Sequence, residues 1–306
     1  MLMRRFTDFI LRGRYQAMVT AFAVSFVPVL GLLGSLIATL VTLRKGVQDG
    51  ALVFIAAVLP IVLIYESVPP DQGATTTIST VDVVIMVILI NIGAWLAAVI
   101  LRRTSSWSLV LDVIGLLGFA VVVILHLIYP DMASWWQQWL TNYFNGVSQA
   151  TTGDPHALAS ITNMANNLKD YATGITAIML SFYALLDLVL ARWWQDAMFN
   201  PGGLRRELLS IRLSKFCGIV CVAGLAAAFM QIVSLQDATL ILGMTYSLAG
   251  LSLMHYAIAA THAKWYWLMI IYIALSIIPQ SLILIALAGL LDTAFDFRKR
   301  LPALTF

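Results

Sequence analysis

Residues 83–101, VVIMVILINIGAWLAAVIL, carry no charge and one amide side chain, Asn91. Lipid offers the backbone no hydrogen bonds, so a segment that crosses a bilayer must be a helix or a strand of a closed barrel. Barrel strands alternate polar and apolar residues over about 10 positions. This stretch is longer and apolar on every side. At about 1.5 Å per residue, a helix of roughly 20 such residues spans the hydrocarbon layer. It reads as a membrane-spanning helix, and the rest of the chain follows from it.

Across 306 residues the chain is 61% hydrophobic and 11% charged, with a mean hydropathy of +0.91. Soluble domains average about 45–50% apolar and roughly 25% charged residues. A water-soluble core cannot absorb this excess, whereas a bilayer can. Eight apolar stretches stand out, at 17–43, 51–64, 83–101, 109–128, 171–190, 216–234, 238–260 and 265–291. The expected fold is therefore an all-α polytopic membrane bundle. It forms a single integral membrane domain over residues 1–306, with an outer loop at 130–170 and a basic inner loop at 192–215. The basic N-terminus leads into an apolar run too long for a cleaved signal's core of about 7–15 residues, so it reads as a retained anchor.

The first and last stretches are too long for one simple crossing, and each holds a proline near its middle, Pro28 and Pro279. Cytoplasmic loops carry the Lys and Arg excess of a membrane protein. If each end stretch crosses once, both basic termini lie opposite the basic internal loops. If each breaks at its proline and returns, all the Lys and Arg except Lys169 fall on one side. The broken arrangement is the expectation, with both termini cytoplasmic. Half-helices cannot leave freed backbone groups in lipid, so other helices must shield them.

The loops add two features. Trp135, Trp136, Trp139 and Tyr143 recur at helical spacing in the outer loop, as in a helix lying at headgroup depth. In the inner loop, Asn200-Pro201-Gly202-Gly203 is a turn and helix-start signal. The following Leu204, Leu208 and Ile211 share one side, with Arg205, Arg206 and Arg212 elsewhere. That pattern is a basic amphipathic helix suited to anionic lipid at the inner leaflet, where each Lys or Arg near the surface is worth about 1 kcal/mol.

Polar groups at membrane depth are costly and mark candidate sites. These are Gln280 directly after Pro279, Asn91 in mid-span, Asp112, His126 and His255, taken together as substrate contacts. Asp112 has Arg102 and Arg103 nearby as partners, and Asp187 has Arg192. Cys217 and Cys221 lie one turn apart in an apolar run and read as packing residues. No metal-ligand cluster, HExxH, GxSxG, P-loop lysine motif or catalytic carboxylate pair is present in the sequence. The chain therefore reads as a non-enzyme without cofactors. Its +3 net charge is accounted for by membrane topology, with no nucleic-acid partner needed.

Three stretches carry a resemblance: Leu40-Val41-Thr42-Leu43-Arg44-Lys45-Gly46, Arg102-Arg103-Thr104-Ser105-Ser106-Trp107-Ser108, and Ala191-Arg192-Trp193-Trp194-Gln195 with Asn200-Pro201-Gly202-Gly203-Leu204-Arg205-Arg206-Glu207. They resemble the YybS-like family of bacterial inner-membrane proteins of unknown function. That family is distantly similar to the substrate-binding S components of energy-coupling-factor transporters. The resemblance implies a small-molecule binding or transport subunit in the inner membrane, docked on an energy-coupling module. In those components a small-residue spacing like Ala17-x-x-x-Ala21 forms the docking face. S components usually have six helices, fewer than here. The competing expectation is a membrane scaffold that recruits partners through the basic inner loop.

Overall fold

In the computed structural model of the protein, residues 2–27, 31–67, 80–151 and 163–302 are described. All regular structure among them is helical. Five helices are long and apolar enough to cross a membrane: α4 (Val47–Ser67), α5 (Thr80–Thr104), α6 (Trp107–Ile128), α8 (Ala172–Phe199) and α11 (Val233–Ala260). Shorter apolar helices are α3 (Gly31–Arg44), α10 (Lys215–Phe229), α12 (Tyr266–Ile277) and α13 (Ser281–Phe295). The eight stretches read from the sequence thus resolve into five full-length helices and shorter pieces. The chain is an all-α integral membrane protein. Further helices are α1 (Leu2–Arg12), α2 (Arg14–Ser25), α7 (Met132–Thr151) and α9 (Gly203–Leu209), with helical turns also at 163–168. A 3-10 turn, Phe297–Arg300, follows α13.

The chain packs as two compact units. The first comprises residues 1–103 and 125–201, the second 104–124 and 202–306.

In the first unit, the opening stretch is two helices, not one. Helix α2 ends at Ser25 and α3 begins at Gly31; Pro28 itself lies outside the described residues. A continuous helix would put Ala21 and Gly34 about 20 Å apart along its axis. Instead, a Cβ on Gly34 would stand 3.2 Å from the Ala21 carbonyl oxygen and 3.2 Å from the Ala57 Cβ. The two arms therefore fold back on each other as a hairpin, packed against α4. Every residue of α3 from Gly34 to Leu43 is buried. This supplies the shielding that a short helix with unpaired end groups requires. A glycine with positive φ, Gly46 at 138°, makes the tight turn from α3 into α4, a conformation that side chains with a Cβ rarely adopt. Helix α8 then packs on α3.

In the second unit, α10 and α11 form an antiparallel pair through close small-residue contacts. A Cβ on Gly224 would meet the Thr239 side chain, and one on Gly218 would sit 3.3 Å from the Tyr246 hydroxyl. Small residues let helix backbones approach where no hydrophobic effect drives them together. The closest approach lies between α11 and α13. A Cβ on Gly289 would be 2.4 Å from the Tyr246 carbonyl oxygen and 2.7 Å from the Gly250 nitrogen.

These contacts fix the course of the last stretch. Helix α12 runs back along α11, bringing Tyr272 to His255 at 2.9 Å. Helix α13 runs the other way. Leu282 meets Ser247, Gly289 meets Gly250, and Arg298 reaches Ser252 and Tyr256. The turn between them contains Pro279, so this stretch also enters and returns. Unlike α3, α12 has no buried residue.

Candidate functional site

Helices α4 and α5 are splayed, and a groove of about 380 Å³ lies between them. Near one end Trp95 Nε1 donates to the Val47 carbonyl at 3.2 Å. The walls are Phe54, Val58, Leu59 and Val62 on α4, with Ile88 and Asn91 on α5. Ligand sites in proteins typically hold roughly 300–1,000 Å³, with mostly apolar walls and a few placed polar groups. This groove is within that range, and Asn91 is its principal polar wall residue.

The orientation of Asn91 follows from its surroundings. Its Nδ2 donates to the Val87 carbonyl at 2.8 Å, one helical turn back. Flipping the amide would set two acceptors against each other, so the oxygen must be the other arm. That oxygen, Oδ1, is buried and has no hydrogen-bond partner, while the residue as a whole is 8% exposed. A buried acceptor left unpaired costs about 1–3 kcal/mol. One residue of the groove wall therefore carries an unused acceptor amid apolar side chains. Ile55, Leu59 and Ile92, which line it, remain largely exposed on apolar helices. The groove is open on the side where these apolar side chains are exposed.

The other residues picked out from the sequence have different roles. Asp112 is buried and accepts from the Ser214 backbone N–H through both oxygens, at 3.0 and 3.1 Å. Ser214 in turn caps α10, its hydroxyl accepting from the Cys217 N–H at 3.2 Å. Asp112 therefore anchors the start of that helix. Arg102 donates to the carbonyls of Thr42 and Leu43, at 3.2 and 2.6 Å. His126 is half-buried and partnered on α6. His255 is bonded to Tyr272. Gln280 is exposed in the Pro279 turn, away from the groove between α4 and α5. Ala17 and Ala21 are both fully buried between α2 and its neighbours. Within the first unit they serve as interior packing.

The basic residues gather at one end of each unit. In the first, Arg102 lies against the α3 end that carries Arg44 and Lys45. Arg44 covers the Phe199 ring at 3.9 Å, and Trp194 donates to Thr7 of α1 at 2.8 Å. In the second, the inner loop is stitched down. Trp107 Nε1 donates to Glu207 at 2.9 Å and the Arg212 N–H to Ser108 at 2.9 Å. Arg212 pairs with Asp296 at 2.9 Å. Lys299 and Arg212 together hold the Asp296 carboxyl below the ordinary carboxylate value. Arg298 pairs with Asp292 at 3.1 Å, donates to the carbonyls of Leu209 and Ile211, and lies over the Tyr256 ring. Arg212 is thus a structural clamp, while Arg205 and Arg206 on α9 stay exposed.

Sequence reading named Asn91 but not the groove around it. The α4 wall shows no polar signal, and the splay of two consecutive helices leaves no mark on their hydropathy. Comparison with family models, curated proteins and solved structures finds no match to this chain.

Proposed function

We propose that this integral membrane protein binds a small apolar molecule, taken laterally from the bilayer, in the groove between α4 and α5. The ligand would carry a hydroxyl or N–H donor to meet Asn91 Oδ1. The observation that carries the reading is the unpaired, buried Asn91 oxygen within an otherwise apolar groove. A purely structural groove would place no acceptor there without a partner, because its desolvation is left uncompensated. The basic end of each unit faces the cytoplasm in this reading, following the positive-inside rule, and the membrane is the bacterial inner membrane. Kinship with the YybS-like family and with S components belongs to this proposal and fits a binding subunit that works with an energy-coupling partner.

Native mass spectrometry of gently extracted protein tests the reading. A retained apolar molecule with a donor group, lost in the groove-filling Val58→Phe variant and reduced in Asn91→Leu, supports it. Bare protein, or phospholipid retained equally by all three, refutes it.

A second reading has its own observation in the exposure of Arg205 and Arg206 beside the tethered Arg212. This one is a scaffold recruiting partners or anionic lipid through α9. Charge reversal at Arg205 and Arg206 would then abolish function while Asn91→Leu is tolerated.

A further inference from the structure

Asp187 lies midway along the membrane-spanning helix α8 and is 8% exposed. It accepts from the Thr39 hydroxyl at 2.5 Å, and the Ser35 hydroxyl, one turn earlier on α3, also faces it. Thr39 is fully buried and Ser35 nearly so. These three oxygens come from α8 and from the return arm of the first hairpin.

No Lys, Arg or His forms an ion pair with Asp187 among the described residues. Two arginines on the surrounding helices and one on α8 itself are engaged elsewhere. Arg192, five residues on, donates to Gln195 at 2.7 Å. Arg44 of α3 lies over Phe199, and Arg102 of α5 is bonded to the Thr42 and Leu43 carbonyls. Lys45 and Asp49 lie beyond the end of α3 and at the start of α4, and Asp196 lies toward the far end of α8.

Burying an isolated carboxylate is costly unless something neutralises it. The described residues supply it no cation, so the neutralising charge comes from outside. The oxygens are drawn together by a direct hydrogen bond, whereas a metal ion would hold its oxygen ligands apart around itself. We propose that Asp187 is a proton-binding site within the membrane, its carboxyl held in a pocket made by Thr39 and Ser35. The proton is taken from water by the carboxylate and released to water as the pH is raised. An ionisable group of this kind within a span is where membrane proteins place proton relays. The site does not depend on the groove reading, since it shares no residue with it.

The test is infrared difference spectroscopy of the full chain reconstituted in liposomes. The expected result is a protonated-carboxyl C=O band in mild acid, shifted by deuterium oxide, fading reversibly as the pH is raised and missing from Asp187→Asn. Thr39→Val keeps the carboxyl and removes its donor, so it should move the same band to higher frequency. This holds even if Asp187→Asn fails to accumulate. Three results overturn the proposal: no such band in mild acid, a band that Thr39→Val leaves in place, or a band that added sodium removes at constant pH. The last would make the site one for a metal cation.

Discussion

Ala21 and Gly34 touch across the first hairpin, although thirteen residues separate them along the chain. A Cβ on Gly34 would stand 3.2 Å from the Ala21 carbonyl oxygen and 2.1 Å from the Ser25 hydroxyl. That contact requires the chain to reverse between them. Cysteines at Ser25 and Gly34 should therefore form a disulfide on mild oxidation in membranes, since bridged residues need Cβ atoms about 3.5–4.5 Å apart. A continuous helix would separate the same positions by about 13 Å. Failure of Ser25→Cys/Gly34→Cys to crosslink, in a protein that accumulates normally, would remove the hairpin.

The approach of α11 to α13 makes a paired prediction about glycines. A Cβ on Gly250 would lie 1.9 Å from the Ile285 carbonyl oxygen, while one on Gly243, two turns earlier on the same helix, meets nothing within 4 Å. Forcing a group into a packed contact costs typically about 1–3 kcal/mol. Glycine inside a helix is worse than alanine by roughly 0.5–1 kcal/mol. Gly250→Ala should lower the thermal midpoint in detergent and Gly243→Ala should leave it unchanged or raise it. Equal effects would show that the two helices do not meet at Gly250.

The Arg298 clamp gives the largest expected loss. Its partner Asp292 has a side chain only 2% exposed. Removing one member of a buried pair strands the other and costs about 3–5 kcal/mol. Arg298→Ala should destabilise the protein by that order and expose residues 296–302 to protease. Arg298→Lys should recover only part of the loss, because a lysine cannot serve Asp292 and two carbonyls with a planar fork.

Asp296 predicts an acid sensitivity of definite sign. Lys299 and Arg212 lower its carboxyl below the ordinary 3.8. A lowered value in the folded state stabilises above the unfolded value, and the benefit disappears as pH falls through the folded one. The difference in thermal midpoint between wild type and Asp296→Asn should therefore be present near neutrality. It should shrink as pH falls below about 3.8 and vanish in stronger acid. A difference that grows on acidification would contradict the assignment.

The sequence was most informative where one property governs a whole segment. The charge-free run around Asn91 had to be a spanning helix, and the proline positions with the Lys and Arg distribution pointed to both hairpins. It was less informative where the answer depends on what stands opposite. Helix α10 ends at Phe229, well short of the apolar stretch that continues to 234, because the chain turns through Gln231 at a positive φ of 58°. The alternation of Ala17 and Ala21 is the same whether they face a partner or α3 and α4. Asp112 and Asp187 have similar local settings, yet one caps a helix and the other meets only hydroxyls. Those differences arise from residues about 100 and 150 positions away, beyond the reach of any local pattern.

The most direct test of the groove uses Trp95, which lines it beside Asn91. The measurement is quenching of tryptophan fluorescence by a brominated fatty alcohol and by the brominated alkane of equal length, in wild type, Asn91→Leu and Trp95→Phe. In wild type the alcohol should quench at lower concentration than the alkane. That advantage should disappear in Asn91→Leu, and the saturable component should be absent from Trp95→Phe. Equal quenching by both compounds, or an advantage for the alcohol that survives Asn91→Leu, would contradict a groove that recognises its ligand through the Asn91 oxygen.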